Sequence, residues 1–586
     1  MATTVASPGD TSPAASPPST GSVPPAPTPS RRTRFVLMVV AAVVVGFALR
    51  VAIGLTDDAP ATDETAYLRS GVSLVEGDGY QRDGSPELHF PPFVPFLLGL
   101  ASQVASDPHT GTVVLTCLSS TALIVPLALL GRRIGGHTAG IATAWVAALG
   151  PGLSTTIVNR GAGSEAEYTL LVVGAVWLVV SAVDHVARAR AWRVFGAGVM
   201  VGLAYLTRPE GLFMAVPLGI AVLVLAVRPR GQAARLRRLD VRGLRAGAPL
   251  LAVFLLPVVV CIVPYAMYLH DNTGQWQLSA KTQDASIEAW DAVARADRER
   301  RDSVLYALDE TGLHFAAGRS SLATLAREDP AGYLGIVRTN AGELVASITN
   351  PVTDQRLSWL LLPLPLWGLA AFGAWRHRRS GVVRLLLAVG ALPVATALAF
   401  FVQPRYLIVA VALATPLVGA AIAALSVAWR RPVMLAVVAL LALSSVQAFH
   451  SEAAGWWHPS EHGDQRAAGE WIAANTRPGD RVMTRSMVVD YYAERQTMAI
   501  PYASVDQILR YARHYGAGYL VVDWYTAVRL RPQLAPLRTN DRMPGLRLVH
   551  EVRVEGRTTR VFAFDPPPPS GGPSGSSVGF VGDDQS

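Results

Sequence analysis

The sequence has little charge, almost no lysine and only two cysteines. Charged residues make up 16% of its 586 positions against 51% hydrophobic residues, and the mean hydropathy is +0.32. A soluble protein of this size would carry more charge, so the composition indicates a polytopic membrane protein with a soluble part attached. Cys117 and Cys261 both lie within apolar runs, which excludes a disulfide framework and a cysteine-based metal site.

The basic residues are almost all arginine, because Lys281 is the only lysine among 51 lysine and arginine residues. The formal net charge is +8, but the arginines occur in short clusters between apolar runs. No basic face interleaved with aromatic residues is present, so nucleic-acid binding is not expected. Such clusters are instead typical of the cytoplasmic loops of a membrane protein.

Long apolar runs divide most of the chain, and a membrane-spanning helix needs about 20 apolar residues. We predict about eleven transmembrane helices, near residues 35–55, 111–131, 138–158, 165–185, 193–207, 211–228, 246–269, 357–375, 382–401, 405–427 and 432–449. With a cytoplasmic N-terminus, every arginine cluster falls on the cytoplasmic side, and the odd number of spans places the C-terminal part outside. The short, proline-rich apolar segment 91–104 is predicted to be an interfacial helix.

Changes in composition predict four regions. The disordered tails are rich in proline with serine, threonine or glycine. After the last span, a soluble α/β pattern predicts helices over 465–476 and from a cap at Ser504 through Tyr515, strands over 481–487 and 519–524, and a hairpin over 546–564 around Glu555-Gly556. The regions are a cytoplasmic tail (1–33), a transmembrane domain (34–455), an extracytoplasmic α/β domain (456–565) and a second tail (566–586). The transmembrane domain includes a first external loop (56–110) and a long external loop (270–356). Amphipathic stretches near 287–308 and 333–348 of the long loop are predicted to cover the site.

Adjacent carboxylates, Asp63 and Glu64, begin a short amphipathic segment of the first external loop. A base at a membrane face can meet both a lipid headgroup and a water-soluble acceptor. The same two residues, with Thr62, would also cap and charge-complement an ordinary helix N-terminus. The pair alone therefore does not decide between catalysis and capping.

The order of short motifs around this pair carries a resemblance to a known family. The motifs are Asp63-Glu64, Tyr67, Gly77-Asp78-Gly79-Tyr80 and Pro91-Pro92-Phe93-Val94-Pro95, followed by L-T-R-P-E-G at 206–211 and Pro404-Arg405-Tyr406. Together they resemble the GT-C glycosyltransferases, in particular an actinobacterial-type member of family 39, which contains protein O-mannosyltransferases and aminoarabinose transferases. The resemblance covers most of the membrane region. It implies an α-helical polytopic membrane protein of the GT-C fold, with about eleven transmembrane helices and a C-terminal extracytoplasmic α/β domain.

The resemblance also implies a reaction, the inverting transfer of a sugar from a polyprenyl-phosphate donor to a glycan, lipid or protein acceptor of the cell envelope. It makes Asp63 the base, with Glu64 as an orienting or binding carboxylate, and it puts Arg405 and Tyr406 near the lipid phosphate. A departing phosphate needs cations beside it. The further candidates for substrate or lipid-phosphate contacts are Tyr67, His89, Arg160, Glu165, Arg208, Glu210 and Lys281.

Structural roles remain open for several of these residues. Arg405 could be a snorkelling interface arginine with Tyr406 as an interfacial aromatic residue. Salt bridges between helix ends would equally explain Arg208 with Glu210, and Arg160 with Glu165. The family more often has Lys or His directly before the two prolines, whereas His89 lies one residue earlier.

No cofactor is expected, although a divalent cation remains an alternative. Asp57, Asp58, Asp63 and Glu64 could offer it oxygen ligands, but their spacing matches no recognised metal-binding loop. A transporter or flippase of lipid-linked or small solutes is the alternative function. Transporters tend to place ionisable residues near mid-membrane and to contain inverted repeats. A non-catalytic scaffold is a third alternative, but it leaves the acidic first loop unexplained.

Overall fold

The computed structural model describes residues 30–55, 59–60, 63–82, 84–105, 107–154, 163–227, 241–280, 306, 308, 322–349, 362–454, 462–554 and 556–565. Several sequence-based predictions lie outside these residues. They are the N-terminal tail except residues 30–33, the C-terminal tail, and the amphipathic stretch 287–308 except Tyr306 and Leu308. The predicted amphipathic stretch 333–348 is helical.

Eighteen α-helices are named here in chain order within the described residues. They are α1 (Arg31–Gly54), α2 (Asp63–Glu76), α3 (Phe93–Ser102), α4 (Pro108–Ala122), α5 (Ile124–Leu149), α6 (Glu165–Ala182), α7 (Ala187–Thr207), α8 (Ala215–Val227), α9 (Val241–Thr273), α10 (Leu322–Glu328), α11 (Pro330–Thr349), α12 (Leu364–Arg376), α13 (Gly381–Ala399), α14 (Ile408–Ala424), α15 (Val427–Ala454), α16 (Gly463–Asn475), α17 (Met487–Ala493) and α18 (Val505–Tyr515).

Eight helical stretches of the described chain are long and apolar enough to cross a membrane. One of them, Pro108–Leu149, has a backbone break at Gly135-Gly136, which separates the predicted spans 111–131 and 138–158. Two further predicted spans coincide with α7 and the short α12, which do not meet the same criterion. The segment 91–104 contains only the ten-residue α3, too short to span a bilayer.

Close helix packing in the membrane region depends on small residues. Helix α14 is the most deeply buried span and packs against α5 and α12. A Cβ atom on Gly419 would lie 2.4 Å from the carbonyl oxygen of Ala139 and 2.3 Å from Oγ1 of Thr143, so only glycine allows the two backbones this approach. Such contacts replace the hydrophobic driving force that is missing between helices in lipid.

The outer surface of the bundle is apolar. On α9, the side chains of Leu256, Val260, Val263 and Met267 recur every three or four residues along one helix face, and each is exposed. An exposed apolar stripe of this length is what lipid tails cover in a membrane protein.

A buried arginine joins two helices inside this region. Arg50 of α1 donates hydrogen bonds to the carbonyl oxygens of Ala147 (3.1 Å) and Ala148 (3.2 Å) at the end of α5, and to that of Leu153. The last four carbonyls of a helix have no intrahelical partner. Arg50 therefore supplies acceptors of α5 with donors that lipid could not provide.

Eight β-strands are named here in chain order within the described residues. They are β1 (Gln81–Arg82), β2 (Ser85–Pro86), β3 (Arg481–Thr484), β4 (Gln496–Ala499), β5 (Ala517–Val522), β6 (Arg542–Met543), β7 (Leu546–Val554) and β8 (Arg557–Phe564). Strands β1 and β2 form a hairpin in the first loop, and the C-terminal domain contains a six-stranded sheet in the order β4-β3-β5-β8-β7-β6. Strand β3 pairs in parallel with β4 and β5, whereas the pairs β5–β8, β8–β7 and β7–β6 are antiparallel.

Most of the predicted elements of this domain are present, but two strands end earlier than the sequence indicates. The predicted strand 481–487 stops at Thr484 because Ser486 caps α17, its Oγ accepting a hydrogen bond from the amide of Val489 (3.1 Å). The predicted strand 519–524 stops at Val522 because the carboxylate of Asp523 caps the following turn. The predicted hairpin is β7–β8, and α18 starts in a capping box at Ser504.

Candidate active site

Four charged side chains meet where helices begin or end. Asp63 opens α2, and Glu165 opens α6, positions at which a carboxylate is favoured by the helix dipole. Arg208 follows the last residue of α7, and Arg405 lies in the turn before α14. Both arginines lie beside a proline, Pro209 or Pro404, and the residue preceding each proline is extended because proline disfavours helical geometry there.

The two arginines lie at different distances from the carboxylates of the cluster. Arg208 lies 2.7 Å from Oε1 of Glu165 and 2.6 Å from Oε1 of Glu210, both at hydrogen-bond length. Arg405 lies 3.6 Å from Oδ2 of Asp63 and 3.9 Å from Oε1 of Glu165. Asp63, Glu165 and both arginine side chains are largely buried, so solvent screens these pairs little.

An aromatic ring lies beside both guanidinium groups. The ring centroid of Tyr406 is 5.1 Å from the Arg208 guanidinium carbon and 5.3 Å from that of Arg405, within the range of cation–π attraction. Nε of Arg405 also donates a 2.8 Å hydrogen bond to the side chain of Gln403. Tyr406 and Gln403 together orient Arg405 at the edge of the site.

Tyr67 completes the wall next to Asp63, one turn further along α2. Its ring is buried against Phe90, and the side chain of Ser164 lies near its hydroxyl. Burial raises the pKa of the Tyr67 hydroxyl, and the neighbouring charge of Asp63 raises it further. The hydroxyl therefore stays protonated and serves as a neutral hydrogen-bond donor at this wall.

Glu64 points away from the arginines. Its carboxylate lies 2.8 Å from Nδ1 of His109, close to the start of α4, and both side chains are buried. This contact joins α2 to α4. Glu64 is thus placed to fix the helix that carries Asp63. Its role as an orienting or binding carboxylate stays a prediction.

A buried carboxylate, Glu87, shapes the rest of the first loop. Its Oε1 accepts hydrogen bonds from the amides of His89 (2.8 Å) and Phe90 (3.2 Å), and its Oε2 lies 3.2 Å from Nε of Arg82. The hydroxyl of Tyr268 on α9 donates to the carbonyl oxygen of Tyr80 at 2.6 Å. The first loop is therefore a folded layer over α2.

The remaining predicted site residues are His89, Arg160 and Lys281. His89 is half-buried, with its ring edge-on to Phe90 at 4.5 Å, and its role as a phosphate contact stays a prediction. Arg160 and Lys281 lie outside the described residues, as do Asp57 and Asp58. Among the described residues, no group of three or more histidine, cysteine, aspartate or glutamate side chains could hold a metal ion.

Comparison with known proteins identifies the fold. Residues 89–263, about 30% of the chain, match the family described as dolichyl-phosphate-mannose-protein mannosyltransferase. The oligosaccharyltransferase of Archaeoglobus fulgidus in its apo form is similar in structure, with a TM-score of 0.55 and 15% identity, over 88% of this chain and 73% of that one. The chain has the GT-C fold. No curated protein sequence matches it significantly.

Two further GT-C structures are similar to this chain and were solved with lipid phosphates. ArnT from Cupriavidus metallidurans, bound to undecaprenyl phosphate, has a TM-score of 0.51 and 14% identity, over 90% of this chain and 97% of that one. AglB from Archaeoglobus fulgidus, in complex with an inhibitory peptide and a dolichol-phosphate, has a TM-score of 0.53 and 16% identity, over 86% and 72%. The predicted fold class, a polytopic α-helical membrane protein with a C-terminal α/β domain, is confirmed.

Sequence reasoning overlooked three residues of this GT-C site. The sequence does contain a signal for His109, since Asp107-Pro108 marks the start of a helix and places His109 in its first turn. Gln403 was visible only as part of the turn before Arg405, and Glu87 only as one acidic residue of the first loop. Their partners, Glu64, Arg405 and the amides of the loop, become neighbours only through the tertiary fold.

Proposed function

We propose that this protein is a glycosyltransferase that moves a sugar from a polyprenyl-phosphate donor to an extracytoplasmic acceptor. The observation that carries the proposal is the buried pair of Asp63 and Arg405, 3.6 Å apart among helix ends. It combines a proton acceptor with a cation in one place. Inverting glycosyl transfer requires both, one for the acceptor hydroxyl and one for the departing phosphate.

Asp63 acts as the general base. Its carboxylate lies buried beside the guanidinium of Arg405, 3.6 Å away, where the hydroxyl of an acceptor and the phosphate of a donor would meet. The protonated Tyr67 hydroxyl nearby does not compete for that proton, because burial keeps it neutral. Attack by the deprotonated oxygen at the anomeric carbon expels the lipid phosphate and inverts the configuration.

Arg405 is the cation that stabilises the departing phosphate. Arg208 is held by two short contacts to Glu165 and Glu210, whereas Asp63 and Glu165 lie 3.6 and 3.9 Å from Arg405. A phosphate oxygen at hydrogen-bond distance would be a closer partner for Arg405 than either carboxylate. Arg208 then keeps the helix ends together while Arg405 exchanges partners. His89, Arg160 and Lys281 remain proposed contacts of the phosphate or the substrate.

The relatives support the class of donor. Two of the similar GT-C structures contain undecaprenyl phosphate or dolichol-phosphate, and the matched family is named for dolichyl-phosphate mannose. Such lipids would reach this site from the bilayer beside the bundle. We infer that the N-terminus is cytoplasmic and that the site and the C-terminal domain are extracytoplasmic, where an envelope glycan, a lipid or a protein accepts the sugar.

The test replaces Asp63 with an uncharged isostere. Membranes containing Asp63→Asn are supplied with radiolabelled polyprenyl-phosphate mannose and, in parallel, polyprenyl-phosphate aminoarabinose, and label in envelope material is counted. We expect transfer to fall about 10²-fold or more, because that is the usual contribution of a general base. Glu76→Gln is the matched control, since Glu76 is an exposed carboxylate at the other end of the same helix.

Binding and chemistry are separated by a second measurement. Asp63→Asn should still bind polyprenyl phosphate, whereas Arg405→Gln should bind it more weakly, since it lacks the cation. Normal transfer by Asp63→Asn would exclude the base role. If the wild-type protein transferred neither sugar while transporting the lipid across the bilayer, the glycosyltransferase proposal would be replaced by the flippase alternative.

A further inference from the structure

The C-terminal domain contacts the helix that carries Asp63 through one arginine. Arg69 of α2 donates from Nη2 to the main-chain carbonyl oxygens of Asp490 and of Tyr491, the latter at 3.4 Å. Its Nη1 lies 3.8 Å from the carboxylate of Asp490. Residue 69 belongs to the first loop, whereas residues 490 and 491 belong to α17 of the α/β domain, 421 and 422 positions later.

The acceptors are those that a helix end leaves without partners. Asp490 and Tyr491 lie among the last four residues of α17, whose carbonyls have no intrahelical donor and form the negative end of the helix dipole. The helix ends at Ala493, and the next residue, Glu494, adopts a left-handed conformation (φ 49°). Arg69 therefore caps α17 from outside the domain with a permanent positive charge.

The contact is buried, and it is reinforced by packing. The Arg69 side chain is 15% exposed and that of Asp490 only 9%, so solvent screening is limited. Tyr491 packs against the cluster that contains Ala66, Tyr67 and Leu68 of α2. The hydroxyl of Thr497 donates to the Asp490 carboxylate and fixes it on the domain side.

Arg69 and Asp63 belong to one rigid helix but lie on different faces. They are six positions apart, which is about 9 Å along the axis and about 240° around it. Asp63 meets Arg405 of the transmembrane region on its own face. A displacement of α2 at Arg69 is therefore transmitted to the carboxylate of Asp63.

We propose that the C-terminal domain holds the catalytic helix in place, and that Arg69 is the positioning residue through which it does so. The expected effect on the rate rests on the proposed function, in which Asp63 is the base. The contact between the domain and α2 does not depend on that function. Arg69 itself touches neither reacting group. Its loss moves the base relative to Arg405 and slows the chemical step without weakening donor binding.

The experiment compares Arg69→Gln and Arg69→Lys with a matched control in the full-length protein. The control is Arg495→Gln, because Nη2 of Arg495 donates to the carbonyl oxygens of Ala473 (2.6 Å) and Thr476 (2.8 Å) at the end of α16. Arg495 therefore performs the same kind of capping within the domain. The measurements are kcat, the KM for polyprenyl-phosphate sugar, and hydrogen exchange of the α2 amides.

For Arg69→Gln we expect kcat to fall about tenfold, since a catalytic group displaced by a fraction of an ångström loses that much. The donor KM should stay within about twofold, and the α2 amides should exchange several-fold faster. Arg69→Lys should recover most of the rate, because an ammonium can still reach carbonyl oxygens. Arg495→Gln should retain the wild-type rate and the wild-type exchange of α2.

Two outcomes would overturn the proposal: unchanged α2 exchange in Arg69→Gln, or an equal loss of turnover in Arg495→Gln. A rise in donor KM at unchanged kcat would also contradict it, because that result assigns Arg69 to substrate binding. If the wild-type protein shows no transfer from either polyprenyl-phosphate sugar, the proposed function fails. The exchange measurement then still decides whether Arg69 couples the domain to α2.

Discussion

The crossing of α2 and α3 predicts a large effect from one added methyl group. A Cβ atom on Gly71 of α2 would lie 2.0 Å from the carbonyl oxygen of Pro95, and one on Gly99 of α3 would lie 2.2 Å from the carbonyl oxygen of Gly71. Ordinary contact begins near 3.4 Å, so in Gly71→Ala the backbones must separate by about 1.4 Å (3.4 − 2.0). Because the obstacle is main chain, no side-chain rotation relieves it.

Two magnitudes follow from this separation. Overpacking costs typically about 1 to 3 kcal/mol of stability, which the full-length protein should tolerate. Misplacement of a catalytic group by about 1 Å costs about 10² in rate, and Asp63 lies two turns from Gly71 on the same helix. We therefore expect Gly71→Ala to remain folded but to lose about 10²-fold in kcat for sugar transfer.

The assay measures transfer from the radiolabelled polyprenyl-phosphate sugars together with thermal stability in detergent. Gly368→Ala is the matched control, since a Cβ atom at Gly368, inside α12, meets nothing within 4 Å. Alanine should even favour that helix by up to about 1 kcal/mol. Wild-type turnover in Gly71→Ala would refute the reasoning that the α2–α3 crossing sets the position of Asp63.

Three further predictions concern other parts of the molecule. Arg405→Lys should raise the donor KM with little change in thermal stability. Arg208→Gln should instead lower the free energy of unfolding by about 3 kcal/mol, because it leaves the buried Glu165 without its short contact. Donor titration and thermal unfolding distinguish the two variants. Ser504→Ala should destabilise the C-terminal domain by about 1 kcal/mol through loss of the capping box, seen as faster exchange of the α18 amides. Burial raises the pKa of Asp464, so ionisation of this carboxyl disfavours the folded state. The protonated carboxyl therefore stabilises the domain at low pH, and this contribution is lost as the pH rises above about 3.8. Asp464→Asn should therefore stabilise the domain at pH 7 but not below about pH 4, as hydrogen exchange of β8 would report.

Periodicity and composition predicted most of the elements because their signals are local. The turn at Glu555-Gly556, the cap at Ser504 and the apolar spans are each written in a few consecutive residues. The strand ends at Thr484 and Val522 were wrong by two or three residues. There the next residues, Ser486 and Asp523, use their side chains to start a helix or a turn rather than to extend the ladder.

The site was less accessible from the sequence, because its geometry is made by residues far apart in the chain. Motif order predicted that Asp63, Arg208 and Arg405 belong together, and the structure brings them into one cluster. No local pattern indicates that Glu64 turns to His109, 45 positions away. Nor does any pattern reveal that Glu165 lies 2.7 Å from Arg208 but 3.9 Å from Arg405. That difference is set by how the helix ends pack together.

Arginine at helix ends has a consequence for the conditions under which the protein works. Arg50, Arg69 and Arg495 all donate to main-chain carbonyl oxygens at the ends of α5, α17 and α16. A guanidinium stays charged throughout the biological pH range, and a carbonyl does not titrate at all. The contacts of these three arginines with carbonyl oxygens should therefore hold equally well in acidic and in alkaline surroundings.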